Sequence, residues 1–168
     1  FGRVRDGLAG RYKIYGTDLI GFGASGRKQA APYFDYTLWL EQMQTVLDSI
    51  PEGPVGLVGH SISATFALRL AGRNSRVTKV LLSCPMGTKL RPNEQRDRLW
   101  TYPRSRDDLR RSLEVLFHDR SIITDQLLDS RMKVLAEPGY AEYFEKMFGG
   151  DKQALVTPTI LSADELRR

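Results

Sequence analysis

The sequence has very little cysteine and histidine and no long hydrophobic run. Cys84 is the single cysteine, which excludes a disulfide framework and favours a reducing compartment. No apolar stretch is long enough to cross a bilayer as a helix. The chain starts at Phe1 without a methionine or the features of a signal peptide. These absences predict a cytoplasmic protein that does not act at a membrane.

The composition is that of a folded domain with a mildly basic surface. The chain has 168 residues, of which 41% are hydrophobic, enough to bury a sizeable core. The formal net charge is +5, but basic residues alternate with acidic ones, as in residues 96–98 and 104–108. No basic stripe is interleaved with aromatic residues. The pattern favours a solvated surface over a functional basic one, and nucleic acid is not an expected partner.

The first half of the chain reads as alternating strands and helices. Residues 13–17 predict a short strand, and residues 36–50 predict a helix with one apolar face. Residues 55–58 form an uncharged, β-branched run that predicts a strand buried on both faces. An alanine-rich helix follows from residue 62, and residues 79–83 predict a third strand. This order predicts an α/β fold with parallel strands and right-handed crossovers.

The second half has no strand pattern and predicts a helical insertion. From about residue 91 to 157, apolar residues recur at helical spacing and are punctuated by glycine and proline. We therefore predict a partial core over residues 1–85, a helical lid over 86–158 and a return to the core over 159–168. Three apolar helix faces support this division: Leu109, Leu113, Leu116 and Phe117; Leu127, Leu128, Met132 and Leu135; and Tyr140, Phe144 and Phe148.

Both ends of the chain carry helix signals. Residues 1–10 read as the tail of a helix, and residues 162–165 form a capping box, which marks the start of one. A helix that begins where the sequence stops leads us to expect an internal piece of a longer protein.

A serine follows the strand at residues 55–58, in the sequence Gly59-His60-Ser61-Ile62-Ser63. A strand that turns at a serine directly into a helix is typical of a nucleophile elbow. The turn would hold the Ser61 hydroxyl clear of the sheet, and the N–H of Ile62 would face a developing oxyanion. Gly59 and Ser63 are small, as the tight turn requires. The alternative is an ordinary strand, turn and helix in which Ser61 is only an N-cap.

A serine nucleophile needs a histidine base that is oriented by an acid. The chain has two histidines. His60 is the direct neighbour of Ser61 and is expected to point away from its hydroxyl. His118 lies off the apolar face of its segment and is expected on the surface. Neither histidine fits the role of the base.

Several motifs together resemble a known family. The glycine-bearing segment at residues 18–25, the elbow and the helical insertion follow the motif order of the α/β-hydrolase fold. The insertion resembles the lid of the meta-cleavage product hydrolases, which cleave carbon–carbon bonds in vinylogous 1,5-diketones. The residues that carry the lid resemblance are Trp100-Thr101-Tyr102-Pro103, Ser105, residues 116–125, Ser130-Arg131 and Glu137-Pro138-Gly139.

The resemblance implies a fold, an activity and partners. It implies a partial α/β-hydrolase core with a helical lid, and a small-molecule substrate from aromatic catabolism. It implies Ser61 as nucleophile and Ile62 as an oxyanion donor, without a metal or an organic cofactor, in a homo-oligomer. The triad acid and base of this fold come after the lid, so we expect them outside the 168 residues. The isolated chain is then expected to be inactive.

Three further residues are substrate-contact candidates by the same resemblance. Arg131 matches the lid arginine that meets the substrate's carboxylate end. It is three or four residues from Leu127, Leu128 and Leu135, so we also expect it on the inward face of its helix, where a bidentate carboxylate would suit it. The alternatives for Arg131 are snorkelling or an internal salt bridge.

Leu116 matches an apolar wall of the pocket, with packing in the core as the alternative. His60 stands where this family often has asparagine, a departure that weakens the assignment to the subfamily. Two other functions stay open on the sequence alone: a carboxylester hydrolase of the same fold, and a non-catalytic ligand-binding or signalling protein.

Overall fold

The computed structural model describes residues 2–89, 91 and 93–167. Within these residues the chain forms two strands and nine α-helices. In chain order they are α1 (Gly2–Leu8), α2 (Tyr36–Ser49), β1 (Val55–His60), α3 (Ile62–Ala71), β2 (Val77–Ser83), α4 (Glu94–Leu99), α5 (Arg106–Leu116), α6 (Asp125–Leu135), α7 (Tyr140–Phe148), α8 (Lys152–Val156) and α9 (Ala163–Leu166).

The two strands are parallel neighbours, as predicted, and α3 is the crossover between them. The helix predicted over residues 36–50 is α2, which buries Trp39 and Leu47. Asp35 caps it by accepting a hydrogen bond from the Leu38 amide. The helix tail predicted at the start of the chain is α1, and the capping box at Ser162 begins α9.

The prediction that β1 is buried on both faces is wrong for the described residues. The helix α3 covers the face that carries Leu57 and Gly59. On the other face Val58 is 46% exposed, and its neighbour in register, Leu81, is 60% exposed. An uncharged strand sequence suits burial on both sides, but burial requires a second layer. The described residues supply a single layer.

The strand predicted over residues 13–17 is also wrong. This segment has no regular structure, its residues are exposed, and its backbone has no ladder partner among the described residues. A strand exists only when a neighbour takes up its backbone groups, so an apolar pattern alone does not form one. The core loop that follows, residues 18–34, is likewise irregular.

The helical half contributes to two separate apolar clusters. The first joins α2 and α3 to α7 through Trp39, Phe66, Tyr143, Met147 and Phe148. The second lies between α5 and α6 and contains Leu109, Leu113, Ile123 and Leu128. All three predicted helix faces therefore contribute buried residues.

The proposed boundaries of the lid at residues 86 and 158 stay a prediction. No helix of the described residues is long and apolar enough to cross a membrane.

Candidate functional site

Ser61 lies in a strained turn between β1 and α3. Its φ is 55° and its ψ is −121°, a left-handed conformation that non-glycine residues rarely adopt. Three backbone hydrogen bonds hold it there. The Ser61 amide donates to the carbonyl of Ser83 over 3.1 Å, and the Ser61 carbonyl accepts from the amides of Ala64 and Met86, each over 3.1 Å. The last residue of β2, the segment after it and the first turn of α3 therefore hold the turn together.

Gly59 allows α3 to approach the end of β1. A Cβ atom at this position would lie 2.6 Å from the Ala64 Cα and from the Ser63 carbonyl oxygen. These are backbone atoms that cannot move aside, so no larger residue fits without shifting the helix. Contact between the strand and the helix thus requires glycine at position 59.

The hydroxyl of Ser61 does not act as an N-cap. It accepts no hydrogen bond from the first amides of α3, which is what an N-cap serine provides. Among the described residues, the backbone amide of Ile62 also donates to no acceptor. Within the part of the chain that the structure describes, the Ser61 hydroxyl and the Ile62 amide thus lie side by side without a hydrogen-bond partner at the positive end of a helix. This arrangement fits a nucleophile with an oxyanion donor and disfavours the N-cap alternative.

A polar network behind the turn anchors α3 and was missed at the sequence level. The Tyr36 hydroxyl lies 2.7 Å from Thr65 Oγ1, which also donates to the Ile62 carbonyl over 2.7 Å. Thr65 is fully buried, and burial raises the pKa of Tyr36. The signal for this network is a threonine within the alanine-rich face of α3, since a buried hydroxyl needs a partner.

Arg69, one turn after Thr65, ties α9 and the segment before it to α3. Its guanidinium donates to Glu165 Oε1 over 2.8 Å, to the Pro158 carbonyl over 2.8 Å and to the Ile160 carbonyl over 3.0 Å. It also lies 5.0 Å from the centre of the Tyr36 ring. The hydrogen bond from Arg69 is the main cause that lowers the pKa of Glu165 to about 2, with the Ser162 amide adding to it. The sequence around Arg69 gives no signal of these long-range bonds.

Both histidines are exposed, and the expectation that neither of them serves as the base stays a prediction. His60 ends β1 opposite Ser83 and is exposed. His118 is exposed in the turn after α5, as predicted. Among the described residues, no three His, Cys, Asp or Glu side chains stand close enough to hold a metal ion.

The prediction that Arg131 faces inward is wrong for the described residues. Arg131 is exposed, and the structure gives its guanidinium no hydrogen bond or ion pair within residues 2–89, 91 and 93–167. The buried stripe of α6 centres on Leu128, with Met132 and Leu135 partly buried. Helical spacing places Arg131 at the edge of that stripe, and no described segment covers the edge.

Leu116, the last residue of α5, is 56% exposed. The alternative that it packs in the core is therefore wrong for the described chain, and its role as a pocket wall stays a prediction. Ser61, Ile62 and His60 are brought together at the end of β1. Arg131 and Leu116 instead lie on the helices that form the second apolar cluster.

Comparison with known proteins shows which family this chain matches and which enzymes it is similar to. The profile of the alpha/beta hydrolase fold matches residues 3–159. A 2-hydroxymuconate semialdehyde hydrolase of Pseudomonas sp. strain CF600 is 32% identical over 150 residues, which is 89% of this chain and 53% of that protein. A 2-hydroxy-6-oxo-2,4-heptadienoate hydrolase of Pseudomonas putida F1 is 27% identical over 95% of this chain and 58% of its own length.

A solved structure is also similar to this chain over nearly its whole length. The meta-cleavage product hydrolase CumD of Pseudomonas fluorescens IP01 superposes with a TM-score of 0.85 at 26% identity, covering 96% of this chain and 59% of CumD. This chain therefore spans between half and three fifths of the length of these relatives.

Proposed function

We propose that the protein is a serine-dependent hydrolase of meta-cleavage products. The premise is that the chain belongs to the alpha/beta hydrolase fold family. The substrate class is a vinylogous 1,5-diketone of the 2-hydroxy-6-oxohexa-2,4-dienoate type, formed in aromatic catabolism. The strained, uncapped Ser61 at the end of β1 is the observation that carries the proposal. The named activities of the relatives support the substrate class.

The reaction adds water across one carbon–carbon bond. The dienol first ketonises, so that the carbon next to the distal carbonyl becomes saturated. The bond between this carbon and the carbonyl carbon is the one that breaks. Ser61 then attacks the distal carbonyl or activates the water that does so, and the Ile62 amide stabilises the oxyanion that forms. The bond breaks with its electron pair on the dienol fragment, which takes up the proton released by the attacking hydroxyl or water. Where Ser61 itself attacked, water then hydrolyses the acyl–Ser61 ester, which releases the acid and restores the hydroxyl. The products are a carboxylic acid and a 2-hydroxydienoate.

Substrate contacts are assigned to three residues. Arg131 binds the carboxylate end of the substrate, a role that its exposed guanidinium without a partner in the described chain supports. Leu116 provides an apolar wall, and its 56% exposure leaves that surface free for a ligand. His60 lies beside the nucleophile at the end of β1 and contacts the substrate there.

The remaining assignments follow from the same proposal. The partner is a small-molecule substrate, and neither nucleic acid nor a membrane is involved. The protein is a cytoplasmic homo-oligomer. The single cysteine supports the compartment, and the oligomer follows from the family resemblance.

The test is the Ser61→Ala variant of the full-length protein, assayed by the loss of absorbance of a yellow dienoate substrate. We expect kcat to fall by about 10⁴-fold or more, as for other serine nucleophiles. Ser49→Ala is the matched control, because Ser49 is an exposed residue at the end of α2. Unchanged turnover in Ser61→Ala would contradict the proposal. Wild-type turnover of p-nitrophenyl esters without bleaching of the dienoate would identify a carboxylester hydrolase instead.

A further inference from the structure

We infer that Arg27, in the core loop at residues 18–34, is a positioning residue for the lid. The geometry points to one joint, residues 137–140, where α6 has ended and α7 begins. Arg27 holds this joint against the core loop. It thereby sets how the α5–α6 pair, which contains the second apolar cluster, stands relative to the strand end that carries Ser61.

The guanidinium of Arg27 contacts three different groups of the joint. Its guanidinium donates to Glu137 Oε2 over 2.5 Å and to the Pro138 carbonyl over 3.2 Å. The same group lies 4.9 Å from the centre of the Tyr140 ring, a cation–π distance. The planar guanidinium suits such a set, since it presents several donors in one plane and stacks on a ring.

The two sides of the joint differ in how they are held. The helix α7 packs against the core: Tyr143 and Met147 are buried in the first cluster, and the Lys28 amide donates to the Tyr143 hydroxyl over 3.3 Å. The α5–α6 pair has a cluster of its own. Its orientation therefore depends on its connections to the rest of the chain.

The joint itself is a short irregular segment. Gly139 has a φ of 72°, which a side chain would oppose. A second connection runs through Tyr102, whose hydroxyl donates to the Leu135 carbonyl over 2.7 Å and whose ring lies 5.8 Å from that of Phe144. Arg27 and Tyr102 thus fix the end of α6 from the core loop and from the segment before α5.

The functional consequence rests on the proposed function, whereas the structural part does not. Arg131 lies on α6 and Leu116 on α5, so both proposed substrate contacts move with the α5–α6 pair. If Arg27 sets the orientation of this pair, its loss weakens binding of the substrate more than it slows the chemistry at Ser61.

The experiment is hydrogen exchange by mass spectrometry on the full-length protein, with Arg27→Ala, Arg27→Lys and Glu137→Gln. We expect amide exchange over residues 125–139 to rise about tenfold in Arg27→Ala, with smaller rises in the other two variants, which keep part of the contact set. Exchange over α3 should not change. Arg111→Ala is the matched control, because Arg111 pairs with Asp108 within α5 and crosses no joint.

Kinetics on the dienoate substrate provide the second measurement. We expect KM to rise about three- to tenfold in Arg27→Ala, with kcat within about twofold of wild type, and partial rescue by Arg27→Lys. Exchange and KM equal to those of Arg111→Ala in both Arg27→Ala and Glu137→Gln would overturn the inference. A wild-type protein that leaves the dienoate unchanged would refute the proposed function alone, because the exchange measurement needs no substrate.

Discussion

The turn at Ser61 and the α5–α6 pair are held together in different ways. The turn is specified by its backbone: hydrogen bonds with the end of β2, with the segment after it and with α3 fix Ser61, and the contact of Gly59 with α3 leaves no room for a Cβ. The α5–α6 pair is held by burial of leucines such as Leu128 and by exposed ion pairs, among them Arg106 with Asp125. The first region should tolerate almost no added atoms. The second should lose stability in proportion to the apolar volume removed.

The largest expected effect is at the turn. Gly59→Val places side-chain atoms against the backbone of α3, where the nearest atoms lie 2.6 Å from the position that a Cβ would take. We expect a loss of at least about 3 kcal/mol in the free energy of unfolding, or failure to fold. Circular dichroism during urea denaturation of the full-length protein measures it.

The matched control for this change is Gly16→Val, since a Cβ at Gly16 would meet nothing within 4 Å. We expect a change of about 0.5 kcal/mol or less there. Equal losses in the two variants would contradict the view that steric exclusion specifies the turn.

A smaller effect is expected within the α5–α6 pair. Leu128→Ala removes a fully buried side chain from the second cluster and should cost about 2–5 kcal/mol. Leu116→Ala, at a residue 56% exposed, should change stability by about 0.5 kcal/mol or less. Thermal unfolding measures both. A loss at Leu116 as large as that at Leu128 would show that the full-length protein buries Leu116.

The smallest effect concerns Glu165 and depends on pH. Because the pKa of Glu165 is lowered to about 2 from its usual 4.5, its ion pair with Arg69 stabilises the fold above about pH 5. This contribution is lost as the pH falls toward 2. Glu165→Gln should therefore cost about 1 kcal/mol at pH 7 and almost nothing near pH 2. Denaturation midpoints across this range test it, and a cost independent of pH would contradict it.

Much of the fold was predictable because it depends on local patterns. The sequence pattern of an apolar strand, an alanine-rich helix and a second strand correctly predicted β1, α3 and β2. The periodic leucines and aromatic residues located the helices of the second half. The turn at Ser61 was also predictable, since it needs small residues at fixed positions between a strand and a helix. These features depend on neighbours in the sequence.

Other features depended on which segments come together. An apolar strand sequence does not say whether a second layer covers it, so Val58 was expected to be buried and is exposed. Helical spacing placed Arg131 on the apolar side of α6, but burial requires a covering segment, and the described residues supply none there.

The sequence by itself determined most of the helices, both strands of the sheet and the identity of the candidate nucleophile, because backbone geometry and side-chain periodicity are local properties. The tertiary structure alone decided the long-range polar contacts. Arg69 meets Glu165 across 96 positions of the chain, and Arg27 meets Glu137 across 110. Such pairs form because packing brings distant segments within hydrogen-bond distance, and nothing near either arginine in the sequence encodes its partner.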